Sequence, residues 1–416
     1  MKIQIRKILP ESIAAVILIA LSAYLLGGDV WTFWTWWLLA LFMGMVAMPV
    51  TGRFFEGFED KGWLFSKALA IAVTGFLTWF LVAVKLLPFT AATCIGVSVI
   101  CGIFCAILFH VQLKKGIECY PSGKIQLIVR EELLFFGIFL LWTYLAGFRP
   151  QAYGTEKFMD YAFMQKMVTT TKLPPDDVWF AGKIINYYYG GQYYAAFVAK
   201  TMIGGISKTE YSYNMMRALI PALMFAGVYG IADEMIKNRA KKKNVDFYKT
   251  KNRARIQFFA VLSAVLAVFA GNGHYIVYGM LKPFINNTVA SVSYTWHQDI
   301  NVDSSSYWFP DATRYIGYNP DVPTDKTIHE FPCYSFVLGD LHAHMINIMI
   351  VITIIALLYS FVKNLKLTEE RGKLYKCFGY PQIYALGLLW GLCNFTNYWD
   401  YIIYIVVIAI TVLFMN

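Results

Sequence analysis

Tyr187–Ile206, YYYGGQYYAAFVAKTMIGGI, is the stretch on which the fold turns. It is apolar and has about the 20 helical residues that a hydrocarbon layer requires. It also carries Tyr187, Tyr188, Tyr189, Tyr193, Tyr194 and Lys200, a composition suited to the headgroup region. Charge on either side decides between the two readings. A crossing here would put the basic blocks Lys237–Arg255 and Lys363–Lys376 on the opposite face from the block Lys114–Arg130. Cytoplasmic loops collect Lys and Arg, so these blocks belong together. The stretch therefore reads as an interfacial or re-entrant helix inside a long loop.

Outward from it, apolar runs lie at Ile8–Gly27, Trp31–Val50, Ser66–Leu87, Ala91–Val111, Glu132–Ala146, Tyr211–Ile236, Gln257–Met280, Met345–Val362, Pro381–Leu392 and Tyr401–Phe414. The expectation is an all-α, polytopic transmembrane helical bundle of about ten spans in a cell membrane. Residues 1–130 form a four-span N-terminal region, and residues 131–416 a membrane domain. With the N-terminus cytoplasmic, the long loops 148–210 and 283–344 are extracytoplasmic. The first run lacks a small-residue cleavage site and reads as a retained helix. Because an apolar run ends directly at Asn416, the chain reads as a fragment of a longer protein.

Composition agrees. Of 416 residues, 58% are hydrophobic and 15% charged, against about 25% charged in a soluble domain. The net charge of +10 sits in blocks beside apolar runs. It speaks for orientation and anionic lipid rather than nucleic acid. The seven cysteines include no CxxC pair, so neither a disulfide framework nor a metal cluster is implied.

Both long loops are crowded with carboxylates, histidines and aromatics, and such loops carry function. In the first, Thr155 reads as the N-cap of a helix from Glu156 to about Thr169. Glu156 and Asp160 then share one face. Like charges at that spacing weaken a helix, so a cation, metal or hydroxyl donor between them makes better sense of the pair. Asp177 beside Trp179 suits a sugar, the ring stacking and the acid taking a hydroxyl. It equally suits a membrane-surface turn. In the second loop Asp340, His342 and His344 recur at every second residue, one face of an extended segment. Such a face binds a divalent cation (magnesium or manganese) or moves protons. His329 and Glu330 lie nearby. Asn397 and Asp400 form a short turn on the same side. No P-loop, GxSxG or HExxH motif occurs.

Four strings are distinctive: TEKFMDYAF, the PPDDVWFAG–INYYYGGQYY run, FPCYSFVLGDLHAH and TNYWD. Together, over about Glu131 to Asp400, they resemble the YYY-domain family, uncharacterised bacterial and archaeal membrane proteins. That family usually shows Asp-Pro-Trp where this chain has Asp177-Val178-Trp179, and Phe-Gly-His where it has Gly190-Gly191-Gln192. The layout is also similar to the GT-C membrane glycosyltransferases, which place an acidic motif in the first large outer loop. The resemblance implies an integral-membrane glycosyltransferase using a polyprenyl-phosphate sugar at the outer face. Asp160 and then Glu156 are the candidate bases. Arg149, Lys157 or Arg314 would hold the donor phosphate. Asp340, His342 and His344 would hold the divalent ion. Tyr187, Tyr188, Tyr189, Trp179 and Trp308 would offer stacking faces, and Asp177, Glu330, Asn397 and Asp400 would line the substrate. The alternatives are a transporter or channel for a small polar solute, or a non-catalytic membrane assembly protein.

Overall fold

The computed structural model describes residues 2–121, 124–202, 208–246, 249–274, 276–277, 281, 309–314, 322–324, 326–365 and 374–415. Among them there is no β-strand, only isolated bridges. The chain divides into two compact units, residues 1–264 with 339–416, and residues 265–338.

In the first unit α1 (Lys2–Leu26) and α2 (Val30–Phe54) are joined by one 3-10 turn, Gly27–Asp29. The chain doubles back there. Trp34 Nε1 donates to Ser22 Oγ at 3.0 Å, whereas a continuous helix would part these residues by about 18 Å. There follow α3 (Trp63–Ala83), α4 (Ala91–Lys114), α5 (Ile125–Gly147), α6 (Lys157–Thr169), α7 (Gly190–Thr201), α8 (Thr209–Lys242) and α9 (Thr250–Phe269), whose last residues pass into the second unit. After residue 339 come α11 (Ala343–Asn364), α12 (Pro381–Thr396) and α13 (Tyr398–Met415).

Seven segments among the described residues are long and apolar enough to cross a membrane. The difference from the expected ten has plain causes. Pro10–Phe54 forms one segment although it contains both α1 and α2. Apolar α5 carries Arg130, Glu131 and Glu132 in its first half, and α12 has only 16 residues. The expected span end at Met280 lies outside the described residues.

Burial separates the helices by role. In α13 no residue is buried, as suits a helix whose solvent is lipid. The α8 helix is wrapped by α3, α5 and α11. Its Gly227 and Gly230 admit Ile352 and Leu64 to close contact, the small-residue packing typical of helices in lipid. The α5 helix packs on α1, α2 and α8, so the N-terminal helices belong to the same unit as those after residue 131.

An ion pair lies inside this packing. Lys67 Nζ of α3 meets Glu132 Oε2 of α5 at 2.5 Å. Trp37 Nε1 donates to the other carboxylate oxygen at 2.8 Å. The ammonium also sits over the rings of Trp63 and Phe135, at 4.5 and 4.8 Å from their centroids.

At Tyr187–Ile206 the helix is α7, twelve residues long. At about 1.5 Å per residue it is too short to cross. Its setting differs from a surface-lying helix, because every residue of α7 is buried. Tyr193 and Tyr194 donate their hydroxyls to the α3 carbonyls of Gly75 (2.7 Å) and Ala72 (2.9 Å). Gly75 makes room, since a Cβ there would stand 2.5 Å from the Tyr194 ring. The tyrosine tips thus find partners in the core rather than at the headgroups. Lys200 is likewise satisfied by the carbonyls of Phe89 (2.6 Å) and Thr170 (2.7 Å).

The second unit holds a 3-10 turn, Phe309–Thr313, and α10 (Pro332–Leu338). Phe309 stacks on Tyr334 at 5.2 Å. Asn272 Nδ2 donates to the Ala312 carbonyl at 2.6 Å.

Candidate functional site

Three short pieces of the first unit meet at one end of the bundle: the start of α6, the start of α7, and Gly339–His342 ahead of α11. Asp160, in the first turn of α6, is 0% exposed. Its Oδ1 accepts from Gln192 Nε2 at 2.7 Å, and the same amide donates to the Leu341 carbonyl at 3.1 Å. Its Oδ2 has no hydrogen-bond partner and faces His342 Nδ1 at 3.4 Å. The other ring nitrogen, Nε2, lies 3.0 Å from Glu156 Oε2. Glu156 is exposed. The imidazole therefore stands between a buried carboxyl and a solvent-facing one.

The fold holds the histidine segment from behind. Leu341 N donates to Tyr213 Oη of α8 at 3.1 Å, and that hydroxyl reaches the Gly339 carbonyl at 3.5 Å. Gly339 has φ +68, and a Cβ there would stand 2.2 Å from Arg217 Nε and Nη2. Arg217 is buried, and its Nη1 donates to the Arg149 carbonyl (3.1 Å) and Asn214 Oδ1 (2.7 Å). Gly339→Ala meets two penalties, the left-handed backbone and the displaced guanidinium, together about 2–5 kcal/mol. Thermal unfolding of that variant should show a clearly lowered midpoint. An unchanged midpoint would mean that the close approach is unimportant.

Electrostatics follow from this packing. Burial pushes the Asp160 carboxyl up to about 8. The Gln192 hydrogen bond opposes the rise, and the charges of Asp340 and Glu156 add to it. Burial draws Lys157 below the usual lysine range, helped by Arg217 and Arg149 and opposed by Asp340. Lys157 and Arg217 both feel the Asp340 carboxylate, and Arg149 adds its positive charge beside Lys157.

Two expectations are corrected here. Thr155 is not an N-cap: Glu156 occupies that position, without a side-chain capping bond. The Thr155 hydroxyl instead donates to Asp340, 2.6 Å from each carboxylate oxygen. The extended stretch ends at His342: Asp340 meets Thr155, His342 meets the adjacent Glu156 together with Asp160, and His344 is already in α11. The His342 and His344 rings lie 5.5 Å apart. Among the described residues no three His, Cys, Asp or Glu groups are placed to hold a metal ion.

The family model described as Uncharacterized membrane protein (DUF2298) matches residues 73–416. The chain belongs to this family. No curated protein and no solved structure matches it. The matched region begins inside α3, so α4 belongs to it, although the sequence strings place the resemblance only from about Glu131. The cluster of Glu156, Asp160, Gln192 and His342 lies wholly within the family region.

The remaining candidates fall elsewhere. Asp177 Oδ1 accepts from the backbone of Trp179 and Phe180, both at 2.8 Å, so it closes a turn. Trp179 is exposed and stands edge-on to Phe163 at 5.5 Å. Tyr187 lies 5.7 Å from the same Phe163 ring and stacks on Tyr188 at 4.2 Å. This leaves an aromatic wall beside α6. Tyr189 is buried and accepts from Trp79 Nε1 at 3.1 Å, which removes it from any sugar-facing surface. Asn397 and Asp400 form a separate polar knot, in which Asp400 Oδ2 accepts from Asn347 (2.6 Å) and Asn397 (2.7 Å). Within the second unit Arg314 donates to the Pro310 carbonyl at 2.7 Å, and Glu330 accepts from Ser335 at 2.7 Å. Trp308 lies outside the described residues.

Sequence reasoning missed Gln192, Tyr213 and Arg217. Arg217 had a usable signal, because a charge inside the run Tyr211–Ile236 is costly without a role.

Proposed function

We propose that the chain is an integral-membrane glycosyltransferase that takes its sugar from a polyprenyl-phosphate donor. The observation that carries this reading is His342 held between buried Asp160 and exposed Glu156. With Asp160 ionised, Nδ1–H points to Oδ2, and Nε2 accepts once an acceptor hydroxyl takes the place of the exposed Glu156 carboxylate. His342 then removes the proton of an acceptor hydroxyl as that oxygen attacks the anomeric carbon. The bond to the donor phosphate breaks, and Lys157, Arg149 and Arg217 are the group suited to its negative charge. This shifts the base from Asp160, which has no access to a substrate, to the histidine that Asp160 orients.

Open space borders the residue that holds Arg217. A cavity of ≈ 560 Å³ is lined by Phe148, Gln151, Glu210, Tyr211 and Asn214 among others. Arg217 bonds to Asn214 at its wall. The size lies within the range of small-molecule sites.

A pH dependence follows. Below about 8 Asp160 carries its proton. It then donates to His342 Nδ1 and leaves Nε2 protonated and unable to accept. Turnover should therefore rise with pH through about 8. Stability runs the other way. The folded state holds this proton to higher pH than the unfolded chain, so the contribution is complete below the ordinary Asp range and is lost as pH rises to about 8. Rate and unfolding midpoint against pH, compared with Asp160→Asn, test both slopes. The identifying experiment is turnover of radiolabelled polyprenyl-phosphate sugars by the full chain in lipid vesicles. No turnover with any donor, together with solute uptake, would favour a carrier, which the buried Lys67–Glu132 pair also suits.

A further inference from the structure

The opposite end of the first unit holds a second cluster that the proposed transfer does not use. From Tyr213 to Lys237, α8 runs about 36 Å. At its far end five carboxylates line one narrow void: Glu59 and Asp60 from the α2–α3 turn, Glu131 from α5, and Asp233 and Glu234 from α8. The void has no room for a water molecule.

Four of the five acids have partners. Lys237 pairs with Glu59 and, at 2.5 Å, with Asp233. Lys124 reaches Glu59 at 3.4 Å, and Lys363 reaches Glu234 at 2.6 Å. Asp60 accepts from the backbone of Gly62 (2.9 Å) and Leu64 (3.2 Å). Glu131 is different. It is 3% exposed and its Oε2 has no hydrogen-bond partner. Its neighbours in sequence are committed elsewhere, Arg130 to Glu11 at 2.6 Å and Glu132 to Lys67 at 2.5 Å. The groups acting on it from other elements are Asp60 and Glu59 of the α2–α3 turn and Asp233 and Lys237 of α8. Tyr229 of α8 also feels its charge. The acids outnumber the lysine, and that lysine is already shared by two of them.

We propose that Glu131 is a proton-binding site, occupied at neutral pH, at the end of the bundle opposite His342. A buried carboxylate without a partner costs several kcal/mol and takes up a proton instead. A hydrated cation does not fit a void too narrow for one water molecule. Among the described residues no three acids are placed around a metal ion. The proton reaches Glu131 through the ion-paired rim, because Glu59 and Glu234 line both the void and an outer cavity of ≈ 360 Å³. Asp60 is the relay on that route. Burial and the Glu234 charge raise it to about 6, against its backbone bonds and Lys237.

Infrared spectroscopy of the full chain in lipid vesicles reads the site directly. At pH 7 the protein should show the carbonyl band of a protonated carboxylic acid. One component should vanish in Glu131→Gln and persist in Asp160→Asn and Asp60→Asn. Carbon-13 labelling of glutamate in the unaltered protein should shift that component, which keeps the test open even where Glu131→Gln folds poorly. A glutamate-labelled spectrum with no shifted band at pH 7 would overturn the assignment. So would loss of the band on adding sodium or potassium, which would make the ligand a metal ion. These readouts need no turnover, so they stand apart from the transferase reading.

Discussion

Replacing His342 by alanine is expected to lower turnover by about 10²–10⁴-fold, the usual worth of a positioned acid–base group. The imidazole is the one group in the cluster that touches both a buried and an exposed carboxylate. Its removal leaves Asp160 sealed behind Gln192 and Leu341 with no route to a substrate proton. The fold should survive. His342 is the N-cap residue of α11 but makes no side-chain capping bond. Its neighbours Gly339 and Leu341 stay tied to Tyr213 through the backbone. The variant should therefore match the unaltered chain in unfolding midpoint while losing rate. Rate and KM should separate as well, since the positive group of Lys157, Arg149 and Arg217 is untouched. A His342→Ala protein with full turnover would end the acid–base assignment.

The largest stability effect is expected at Lys67. Lys67→Met should destabilise the bundle by about 3–5 kcal/mol, because it strands Glu132 as a buried, unpaired acid between α2, α3 and α5. Trp37 alone would remain as a donor to that carboxylate. The double change Lys67→Met with Glu132→Met should recover most of the loss. Removing both charges removes the desolvation cost together with the attraction. A double-mutant cycle read by thermal unfolding in detergent gives the coupling. Additive losses would show that the pair, for all its close geometry, contributes nothing as a pair.

Much of the fold was legible residue by residue. The apolar run at Ala91–Val111 becomes α4, and that at Met345–Val362 lies within α11. Transfer into lipid is a sum over side chains and needs no knowledge of partners. The acids and imidazoles of the site were legible as types for the same reason. Charged and titratable groups stand out against 58% hydrophobic residues. Their pairing was not legible. Thr155 and Asp340 are 185 residues apart, and nothing in either neighbourhood marks them as partners. Spacing suggested that Asp340, His342 and His344 would face one way. The backbone instead enters α11 at Ala343, so Asp340 and His342 meet the start of α6 from an extended stretch while His344 is already helical.

The α7 segment shows the same limit from another side. Its tyrosines read as headgroup anchors, because a phenol needs a polar partner and water was the evident one. The bundle supplies α3 carbonyls instead, at Gly75 and Ala72.

Alone, the amino-acid order determined that this chain is a multi-span helical membrane protein and which side chains have chemistry to offer, since burial in lipid is additive along the chain. Only the tertiary structure decided that His342 stands between Asp160 and Glu156, that Arg217 backs the same loop, and that Glu131 is left without a partner. Those outcomes depend on which distant segments are brought within about 3 Å of one another, the range over which a hydrogen bond acts.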